Sequence, residues 1–345
     1  REIGDYEIEH MTRQVSRVST RRNRVLIDDA PQTVVLVLHS DPAPESTEVV
    51  AEVGFARRLH AAENSLLLTR GLLSSHLLSY AVNTLLRTAR EAAEAAARIH
   101  RRDAGRVLLS GATLKARADY VSQTDLDAQA AALKIIEANH PDHVVLAEES
   151  DEPVEDQLAR WDDRPMWIVD PLDGTANFLH EHPQYCSSVG VAVEGRVVAG
   201  AIVGSTGERW WASDGEGAFK NGRQISVSTP RPLIEAMVGT GFPFKLLDAM
   251  PTYLGQLDRV LRSASGVRRA GSAALDLCYL AQGSLDAFWE EILMPWDFAA
   301  GLVLVREAGG VLARPDGSKL DIAPGAVRGA NSRALLGELG RALED

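Results

Sequence analysis

The chain has 345 residues, of which 45% are hydrophobic and 24% are charged. Such a chain is long enough for about two ordinary domains, and its composition excludes a disordered, collagen-like or disulfide-stapled protein. Lysine and arginine total 36 against 48 acidic residues, which gives a formal net charge of −12. Because this charge repels phosphate backbones and anionic lipids, we expect neither nucleic acid nor a membrane as the main partner.

Residues 1–75 differ from the rest of the chain and carry no motif of a functional site. They contain one strand-like run, at 34–38, followed by a stretch with prolines and acids at 41–48. We interpret them as an N-terminal extension of unknown role. The apolar run 65–86 is interrupted by polar residues, so it predicts an amphipathic helix and not a membrane span.

The two cysteines, Cys186 and Cys278, cannot form a disulfide framework and lack the spacing of a zinc site. We expect both to be buried free thiols in a reducing compartment. This pattern predicts a cytoplasmic protein.

Two helices and two strands are predicted in the middle of the chain. The alanine-rich run 84–102 favours a helix by propensity and by acid–base pairs four residues apart. A second helix should begin near Thr124 or Asp125, where polar residues can cap it. Apolar runs at 144–147 and 166–169 predict strands, and both runs stop at acidic residues.

Beyond these strands the pattern changes to hairpins and then to alternating elements. Tight-turn sequences at Glu194-Gly195 and Asn221-Gly222 predict antiparallel pairs between 187 and 228. Later, the pattern predicts a helix near 272–282, a strand at 285–289 and a helix at 297–308. The chain therefore divides into an α+β half at 76–230 and an α/β half at 231–345.

Carboxylates stand where the chain leaves these predicted elements, at Glu148, Glu149, Asp170, Asp173 and Asp297. Clustered carboxylates repel one another unless cations lie between them, and Mg²⁺ prefers oxygen ligands. Acids from three separate segments therefore suit a site for two divalent cations. Such cations would also supply the positive charge that an acidic protein needs to handle phosphate.

Each motif alone has an ordinary explanation. A Glu-Glu-Ser sequence is usually a solvated strand end, Asp-Pro-x-Asp-Gly is usually a turn, and Asp297 alone could cap a helix. The combination in chain order favours a site, and its middle motif is followed by Gly174 and Thr175, which offer backbone N–H groups and a hydroxyl to an oxyanion. The spacing disfavours an aspartyl-phosphate mechanism, because the two aspartates are three residues apart and Pro171 stands where the Asp-x-Asp-Gly-Thr motif has its nucleophilic aspartate. No EF-hand loop is present.

Five sequence segments together resemble the inositol monophosphatases, within the superfamily of Mg²⁺-dependent, lithium-sensitive sugar phosphatases. The resemblance runs from about residue 80 to the C-terminus and includes WIVDPLDGTANF at 167–178 and PWDFAAGLVLVREAGG at 295–310. The other segments are AEES at 147–150, KARADYVSQTD at 115–125 and RRAGSAALDL at 268–277. It implies an α+β fold, a layered α/β/α/β/α sandwich of the inositol monophosphatase and fructose-1,6-bisphosphatase type.

The resemblance also implies roles for individual residues. Glu148, Asp170 and the Leu172 carbonyl would bind one Mg²⁺, while Asp170, Asp173 and Asp297 would bind a second. Glu148 would also share a third, weaker ion.

The remaining implied roles concern phosphate, water and the leaving group. Gly174 and Thr175 would bind phosphate, and Asp125 would accept the Thr175 hydroxyl proton and help activate the attacking water. Ala273 and Glu290 would contact the substrate, with Glu291 as the alternative acid beside Glu290. Lys115 would lie close to the metal cluster.

The function that the resemblance implies is hydrolysis of a small polyol phosphate monoester, with inositol-1-phosphate as the expected substrate. A metal-activated water would attack in line, and no phosphoenzyme would form. The alternatives are phosphatases for histidinol phosphate, fructose-1,6-bisphosphate or 3′-phosphoadenosine phosphate, and an interaction scaffold without activity. The sequence leaves open whether the protein forms a homodimer.

Overall fold

The structure is a computed structural model. It describes the backbone of residues 23–27, 33–38, 49–54, 64–162 and 164–344, and the side chains of 82–162 and 164–344. The chain forms two compact units, Arg1–Leu72 and Leu73–Asp345. The predicted loop at 41–48 lies outside the described residues.

The first unit contains a small antiparallel sheet. Its strands are β1 (Asn23–Ile27), β2 (Thr33–Leu38) and β3 (Val49–Gly54), and β2 lies between the other two. The sequence predicted only the middle strand. The flanking strands were missed because each is a short apolar run, and pairing with β2 supplies the backbone hydrogen bonds that stabilise it.

The helices of the described chain begin with one long helix that joins the two predicted at 65–86 and 84–102. No helix in the part of the chain that the structure describes is long and apolar enough to cross a membrane. The helices are α1 (Asn64–Asp103), α2 (Gln123–Asn139), α3 (Val154–Ala159), α4 (Thr175–Leu179), α5 (Met250–Ser263), α6 (Ala273–Ala281), α7 (Pro295–Glu307) and α8 (Arg333–Glu344).

A short hairpin and a seven-stranded sheet follow α1. The hairpin pairs β4 (Thr113–Ala116) with β5 (Asp119–Val121). The sheet has the order β12-β11-β10-β9-β8-β7-β6 and is antiparallel except for its β6–β7 pair. Its strands are β6 (Val144–Ala147), β7 (Met166–Asp173), β8 (Cys186–Val193), β9 (Arg196–Gly204), β10 (Arg209–Ser213), β11 (Gly217–Lys220) and β12 (Arg223–Ile225).

The two predicted tight turns are present. Glu194 and Gly195 join β8 to β9, and Asn221 and Gly222 join β11 to β12. All four residues have positive φ, at 50° and 76° in the first turn and 50° and 82° in the second. Left-handed backbone at both central residues matches the twist of the flanking strands, which confirms the hairpins.

A five-stranded sheet with the order β14-β13-β15-β17-β16 completes the second unit. Its strands are β13 (Met237–Thr240), β14 (Gly266–Arg268), β15 (Ala287–Leu293), β16 (Val311–Ala313) and β17 (Gly325–Ala330). The strand predicted at 285–289 was placed too early. Antiparallel pairing with β17 extends β15 to Leu293, past a register shift after Glu290, so Glu290 lies inside the strand and not at its end.

The two sheets and their helices form five layers. Helices α1 and α2 pack on one face of the seven-stranded sheet, where Trp167 and Val169 are buried. Helices α6 and α7 pack between the two sheets against Ile168 and Phe288. Helices α5 and α8 cover the outer face of the five-stranded sheet around Trp289. Alternate residues of one strand thus face different layers, and the expected α+β layered sandwich is confirmed.

Residues 73–345 form one compact unit. The predicted division into two halves near residue 230 stays a prediction. The cysteine prediction is confirmed, since Cys186 and Cys278 are both buried and free. Burial raises the pKa of both thiols well above the usual range, which keeps them protonated and unreactive.

Helix α7 approaches the seven-stranded sheet closely because the sheet offers it two glycines. Gly190 of β8 and Gly200 of β9 are cross-strand partners. A Cβ at 190 would lie 3.1 Å from the Cβ of Ala299, and a Cβ at 200 would lie 2.8 Å from the Cα of Ala300. The missing side chains therefore set how close the helix lies to the sheet, and with it the position of Asp297 in the first turn of the helix.

We predict that Gly200→Ala lowers the free energy of unfolding by about 1–3 kcal/mol, because the added methyl group overlaps the α7 backbone. Urea unfolding of the full chain measures the change. Gly111→Ala is the matched control, since no heavy atom lies within 4 Å of its new Cβ. Equal unfolding midpoints for the two variants would contradict the close-packing argument.

Candidate active site

The segment after β6 carries Glu148 and Glu149, and a side chain from α2 holds its backbone. Gln129 donates to the Glu149 carbonyl at 2.5 Å and accepts from the Glu149 N–H at 3.0 Å. The Glu149 carboxylate forms an ion pair with Lys115 on β4. The chain beyond the strand end is thereby fixed, which orients Glu148.

A one-residue bulge in β7 places Asp170 and Asp173 on the same side of the sheet. Asp170 pairs with Ser188 and Asp173 pairs with Cys186, so three steps on β7 match two steps on β8. Residues three apart on a regular strand point to opposite faces, and the extra residue removes this difference. His100 of α1 supports the bulge by donating from Nε2 to the Pro171 carbonyl at 2.7 Å.

The start of α6 binds the Asp173 carboxylate. Oδ2 of Asp173 accepts hydrogen bonds from the Ser272 hydroxyl at 2.6 Å and from the Ala274 N–H at 2.8 Å. The Ala273 N–H also points toward this carboxylate. The backbone N–H groups of a helix N-terminus favour a negative charge, so α6 stabilises Asp173 in its ionised form.

Thr175 and Asp125 meet beyond the bulge. The Thr175 hydroxyl lies 2.8 Å from Oδ1 of Asp125 and 3.1 Å from the Leu172 carbonyl. Oδ2 of Asp125 accepts from the Ser122 N–H at 2.8 Å and from the Ser122 hydroxyl at 2.6 Å. Asp125 therefore caps α2 through one oxygen and binds Thr175 through the other.

Gly174 precedes Thr175 with a left-handed φ of 94°. A Cβ at this position would lie 2.7 Å from the Gln184 carbonyl, so only glycine fits the turn. The turn directs the chain from β7 into α4.

Asp297 lies in the first turn of α7, two residues after the position where the helix begins. The sequence predicted a start at Asp297, but Pro295 opens the helix because its fixed φ suits the first helical position. Oδ2 of Asp297 accepts from the Met294 N–H at 2.7 Å. As with Asp125, the helix-capping interpretation is right for one carboxylate oxygen and leaves the other available.

The four carboxylates form one electrostatic group. Burial, together with Asp297 and Glu149, raises the pKa of Glu148. Burial and the charges of Glu148, Asp173 and Asp297 raise the pKa of Asp170 well above its usual range.

The other two members of the group show the same effect. Burial raises the pKa of Asp173 despite its hydrogen bonds to α6, and burial with the Asp173 charge raises the pKa of Asp297. The charge of Lys245 acts in the opposite direction on Glu148 and Asp297. Lys245 forms an ion pair with Asp119 at 2.6 Å.

This donor set fits hard divalent cations. Carboxylates that raise one another's pKa need positive charge nearby to stay ionised together, and a cation with oxygen ligands supplies that charge. Among the side chains of 82–162 and 164–344, no group of three or more His, Cys, Asp or Glu residues already stands at metal-ligating distance, so the fit rests on the chemistry of the donors and not on their spacing.

Glu290 lies against the chain that follows β13. Its carboxyl group occupies the space where a side chain at Gly241 would begin. Burial and the charges of Asp276 and Asp173 raise the pKa of Glu290 well above its usual range. The predicted substrate acid is half-buried and lies within the electrostatic range of Asp173.

Sequence reasoning missed the residues that hold the site in place. His100, Gln129 and Ser272 each bond to a segment that carries a predicted ligand. Lys245 was also missed. The serine before Ala273 is a helix-capping signal in the sequence, whereas the other three give no local signal because their partners lie far along the chain.

A sequence model of the inositol monophosphatase family matches residues 81–345, more than half of the chain. The chain belongs to this family. It is therefore a phosphatase, and the family is generally metal-dependent.

Relatives with known names cover most of the family region. Inositol-1-monophosphatase of Mesorhizobium japonicum is 39% identical over 258 residues, which is 74% of this chain and 95% of that protein. Nus factor SuhB of Escherichia coli K12 is 37% identical over 225 residues, which is 65% of this chain and 82% of that protein.

Solved structures show the same fold. The extragenic suppressor protein suhB of Bartonella henselae has a TM-score of 0.68 and 37% identity, and covers 77% of this chain and 99% of that chain. Inositol monophosphatase of Anabaena (Nostoc) sp. PCC 7120 has a TM-score of 0.66 and 33% identity, and covers 76% of this chain and 95% of that chain.

For this family member we predict that Gln129→Leu lowers the free energy of unfolding by about 1–3 kcal/mol, because it leaves the N–H and carbonyl of Glu149 unpaired. Urea unfolding measures the loss, and amide exchange at Glu149 should accelerate. Gln123→Leu is the control, since the exposed Gln123 amide bonds only to the Asp127 side chain, at 2.8 Å. If Gln129→Leu behaves like the control, Gln129 does not fix this segment.

Proposed function

We propose that this phosphatase hydrolyses small polyol phosphate monoesters in a Mg²⁺-dependent reaction, with inositol-1-phosphate as the substrate. The group of four carboxylates, of which Asp170 is buried and Glu148, Asp173 and Asp297 are half-buried, carries the proposal together with the Thr175–Asp125 pair. Membership of the inositol monophosphatase family and the printed names of relatives support the substrate.

The acidic residues would hold two cations. Glu148, Asp170 and the Leu172 carbonyl would bind one, and Asp170 would bind the other together with Asp173 and Asp297. When bound, Mg²⁺ supplies positive charge to the phosphate and lowers the pKa of a coordinated water. The hydrogen bonds from the α6 N-terminus to Asp173 and from the Met294 N–H to Asp297 lower the pKa of each carboxyl against the effect of burial, which favours the ionised form that binds a cation.

Thr175 and Asp125 would direct a water at the phosphorus atom. When the Thr175 hydroxyl donates to Asp125, its oxygen lone pairs are free to accept a proton from water. Burial raises the pKa of Asp125 against the opposing Ser122 hydrogen bonds, so this carboxylate is a better base than an exposed one. The pair therefore suits orientation of the water and acceptance of its proton through the hydroxyl.

The remaining contacts would select phosphate and alcohol. The N–H groups of Gly174 and Thr175 would bind phosphate oxygens, because glycine allows the backbone to approach them. Glu290 would accept hydrogen bonds from the alcohol, beside the backbone of Ala273. Phosphate would therefore bind at the β7–α4 turn, and the leaving group would lie on the α6–β15 side.

Two other functions remain to be tested against this one. Another phosphatase of the superfamily would share the carboxylates and differ in the leaving group, so a panel of four substrates separates these cases. The panel contains inositol-1-phosphate, histidinol phosphate, fructose-1,6-bisphosphate and 3′-phosphoadenosine 5′-phosphate. An interaction scaffold, suggested by the relative named Nus factor SuhB, would hydrolyse none of them at saturating Mg²⁺.

We predict that Asp173→Asn and Asp297→Asn each lower kcat by about 10³-fold or more while the fold is kept, because each removes a charge from the proposed metal ligands. Hydrolysis of inositol-1-phosphate at saturating Mg²⁺ measures the loss. Asp258→Asn, at an exposed acid on α5, should retain full activity. Chelation by EDTA should abolish turnover and added Mg²⁺ should restore it, and activity that persists in EDTA would overturn the metal requirement.

We also predict that Thr175→Val lowers kcat by about 10²-fold or more and changes KM by only a few-fold, because the hydroxyl acts on the attacking water and not on the alcohol. Thr175→Ser keeps the hydroxyl and should restore most of kcat. Steady-state kinetics on inositol-1-phosphate compares the two variants. A Ser variant as slow as the Val variant would argue for a packing role of the threonine methyl group.

A further inference from the structure

A groove of about 710 Å³ lies between α1 and the β9–β10 part of the seven-stranded sheet. Its charged lining consists of four arginines and two glutamates: Arg87, Arg90, Glu91, Glu94, Arg98 and Arg209. The active-site roles proposed above involve none of these side chains. Grooves of this size commonly bind small molecules, so the charges that line it indicate what it could hold.

The charged residues that α1 contributes form one stripe along the helix. Arg87, Glu91, Glu94 and Arg98 follow one another at intervals of three or four residues. Side chains at such intervals are neighbours on a helix surface, with Cβ atoms about 5–6 Å apart. Arg90 follows Arg87 by three residues, so these two arginines are adjacent at one end of the stripe.

Glu94 is already used by other cations. Its carboxylate accepts hydrogen bonds from Arg209 of β10 at 2.8 Å and from Arg101 at 2.6 Å. Burial acts to raise the pKa of Glu94, but these two arginines outweigh it and lower the pKa. Glu94 is therefore not available to neutralise the other arginines of the groove.

Three arginines of the stripe have no counter-ion among the side chains that the structure describes. Arg87, Arg90 and Arg98 are exposed, and none of their guanidinium groups forms a hydrogen bond or an ion pair with a described residue. Glu91 is exposed and unpaired in the same sense. Three free positive charges thus face one free negative charge, which leaves an excess of two positive charges in a protein whose net charge is −12.

An aromatic stack holds Arg90 in place. Its guanidinium group lies over the Trp211 ring, 4.0 Å from the ring centre. Trp211 in turn stacks on Phe219 of β11, with ring centres 6.0 Å apart and an interplanar angle of 15°. Stacking orders the guanidinium plane and leaves the N–H groups at its edge free to donate to a ligand.

The charge of Arg87 acts on a residue of the neighbouring helix. Burial lowers the pKa of His140, and the charge of Arg87 lowers it further. His140 follows the end of α2, and its Nε2 lies 3.1 Å from the Thr88 hydroxyl of α1. The positive charge of Arg87 is therefore felt by its surroundings, as expected for an arginine without a counter-ion.

Apolar residues line the groove beside these charges. Ala201 and Val203 of β9 are buried, and Ile135 of α2 is half-buried. Covering such residues is favourable because it removes apolar surface from water. A ligand that fills the groove must therefore bring an apolar body together with negative charge.

We propose that this groove is a second anion-binding site, which takes a phosphate dianion attached to an apolar body, as in an aryl phosphate. Arg87 and Arg90 would donate to the phosphate oxygens, and the apolar body would cover Ile135, Ala201 and Val203. The site shares no lining residue with the active site. It does not depend on the proposed reaction, because no bond is formed or broken in the groove.

A phosphate dianion suits the free arginines better than a carboxylate. One dianionic group balances the excess of two positive charges, whereas a monocarboxylate balances half of it. The planar guanidinium fork matches pairs of phosphate oxygens, and charge-assisted hydrogen bonds are about twice as strong as neutral ones. Inorganic phosphate has the charge but leaves the apolar residues uncovered.

Isothermal titration calorimetry of the full-length protein with phenylphosphonate, at pH 8.5, tests the proposal. This probe is a dianion whose C–P bond a phosphatase does not hydrolyse, and omitting divalent cations lets the active-site carboxylates repel it. We expect binding at least about 10-fold tighter than that of benzoate, which has one charge, and of inorganic phosphate, which lacks the ring. Phthalate has a ring and two carboxylates, and equal affinity for it would overturn the phosphate assignment.

Variants locate the binding. The double variant Arg87→Gln with Arg90→Gln should bind phenylphosphonate about 10-fold or more weakly, and Arg90→Lys, which keeps the charge without the planar fork, should be intermediate. Arg262→Gln is the matched control, because it removes an exposed arginine of α5 and should leave the affinity unchanged.

Tryptophan fluorescence gives a second measurement on the wild-type surface. Phenylphosphonate should change the emission of the wild type, and Trp211→Phe should abolish that change. Unchanged affinity in the double variant, or no binding of phenylphosphonate at millimolar concentration, overturns the inference. Neither result affects the phosphatase proposal, which is tested by hydrolysis at saturating Mg²⁺.

Discussion

Repulsion among four buried or half-buried carboxylates governs the structure around this site. Glu148, Asp170, Asp173 and Asp297 come from three separate segments, and burial raises the pKa of each. Without cations such a group is stable only if protons are shared or if the backbone holds the acids rigidly. The fold holds two of the acids through donors at the starts of helices, where α6 binds Asp173 and the Met294 N–H binds Asp297.

The supporting contacts explain how separate layers meet at one point. The bulge in β7 brings two aspartates to one side, and His100 supports it from the opposite layer. Gly190 and Gly200 let α7 lie close to the sheet, and Gln129 holds the segment after β6. These residues do not touch a substrate in our proposal, yet each one positions a residue that would bind a cation.

Helix α6 supports a proposed metal ligand. Its first backbone N–H groups and its capping serine bind Asp173, while Asp276 in the same turn is buried with neither carboxylate oxygen hydrogen-bonded among the described residues. In our proposal, phosphate and leaving group contact different elements, because phosphate would meet the β7–α4 turn and the alcohol would meet Glu290 of β15.

The sequence alone determined which residues carry the chemistry and which local elements hold them. Acids after apolar runs, the turns at Glu194-Gly195 and Asn221-Gly222 and the family motifs are local patterns, and local propensity fixes them. Only the tertiary structure decided that Asp170 and Asp173 share a side, that Glu290 lies within β15, and that Asp276 is left without a partner. The physical reason is that these features depend on strand register and on contacts between residues up to about a hundred positions apart, such as Ser272 with Asp173, which no local pattern encodes.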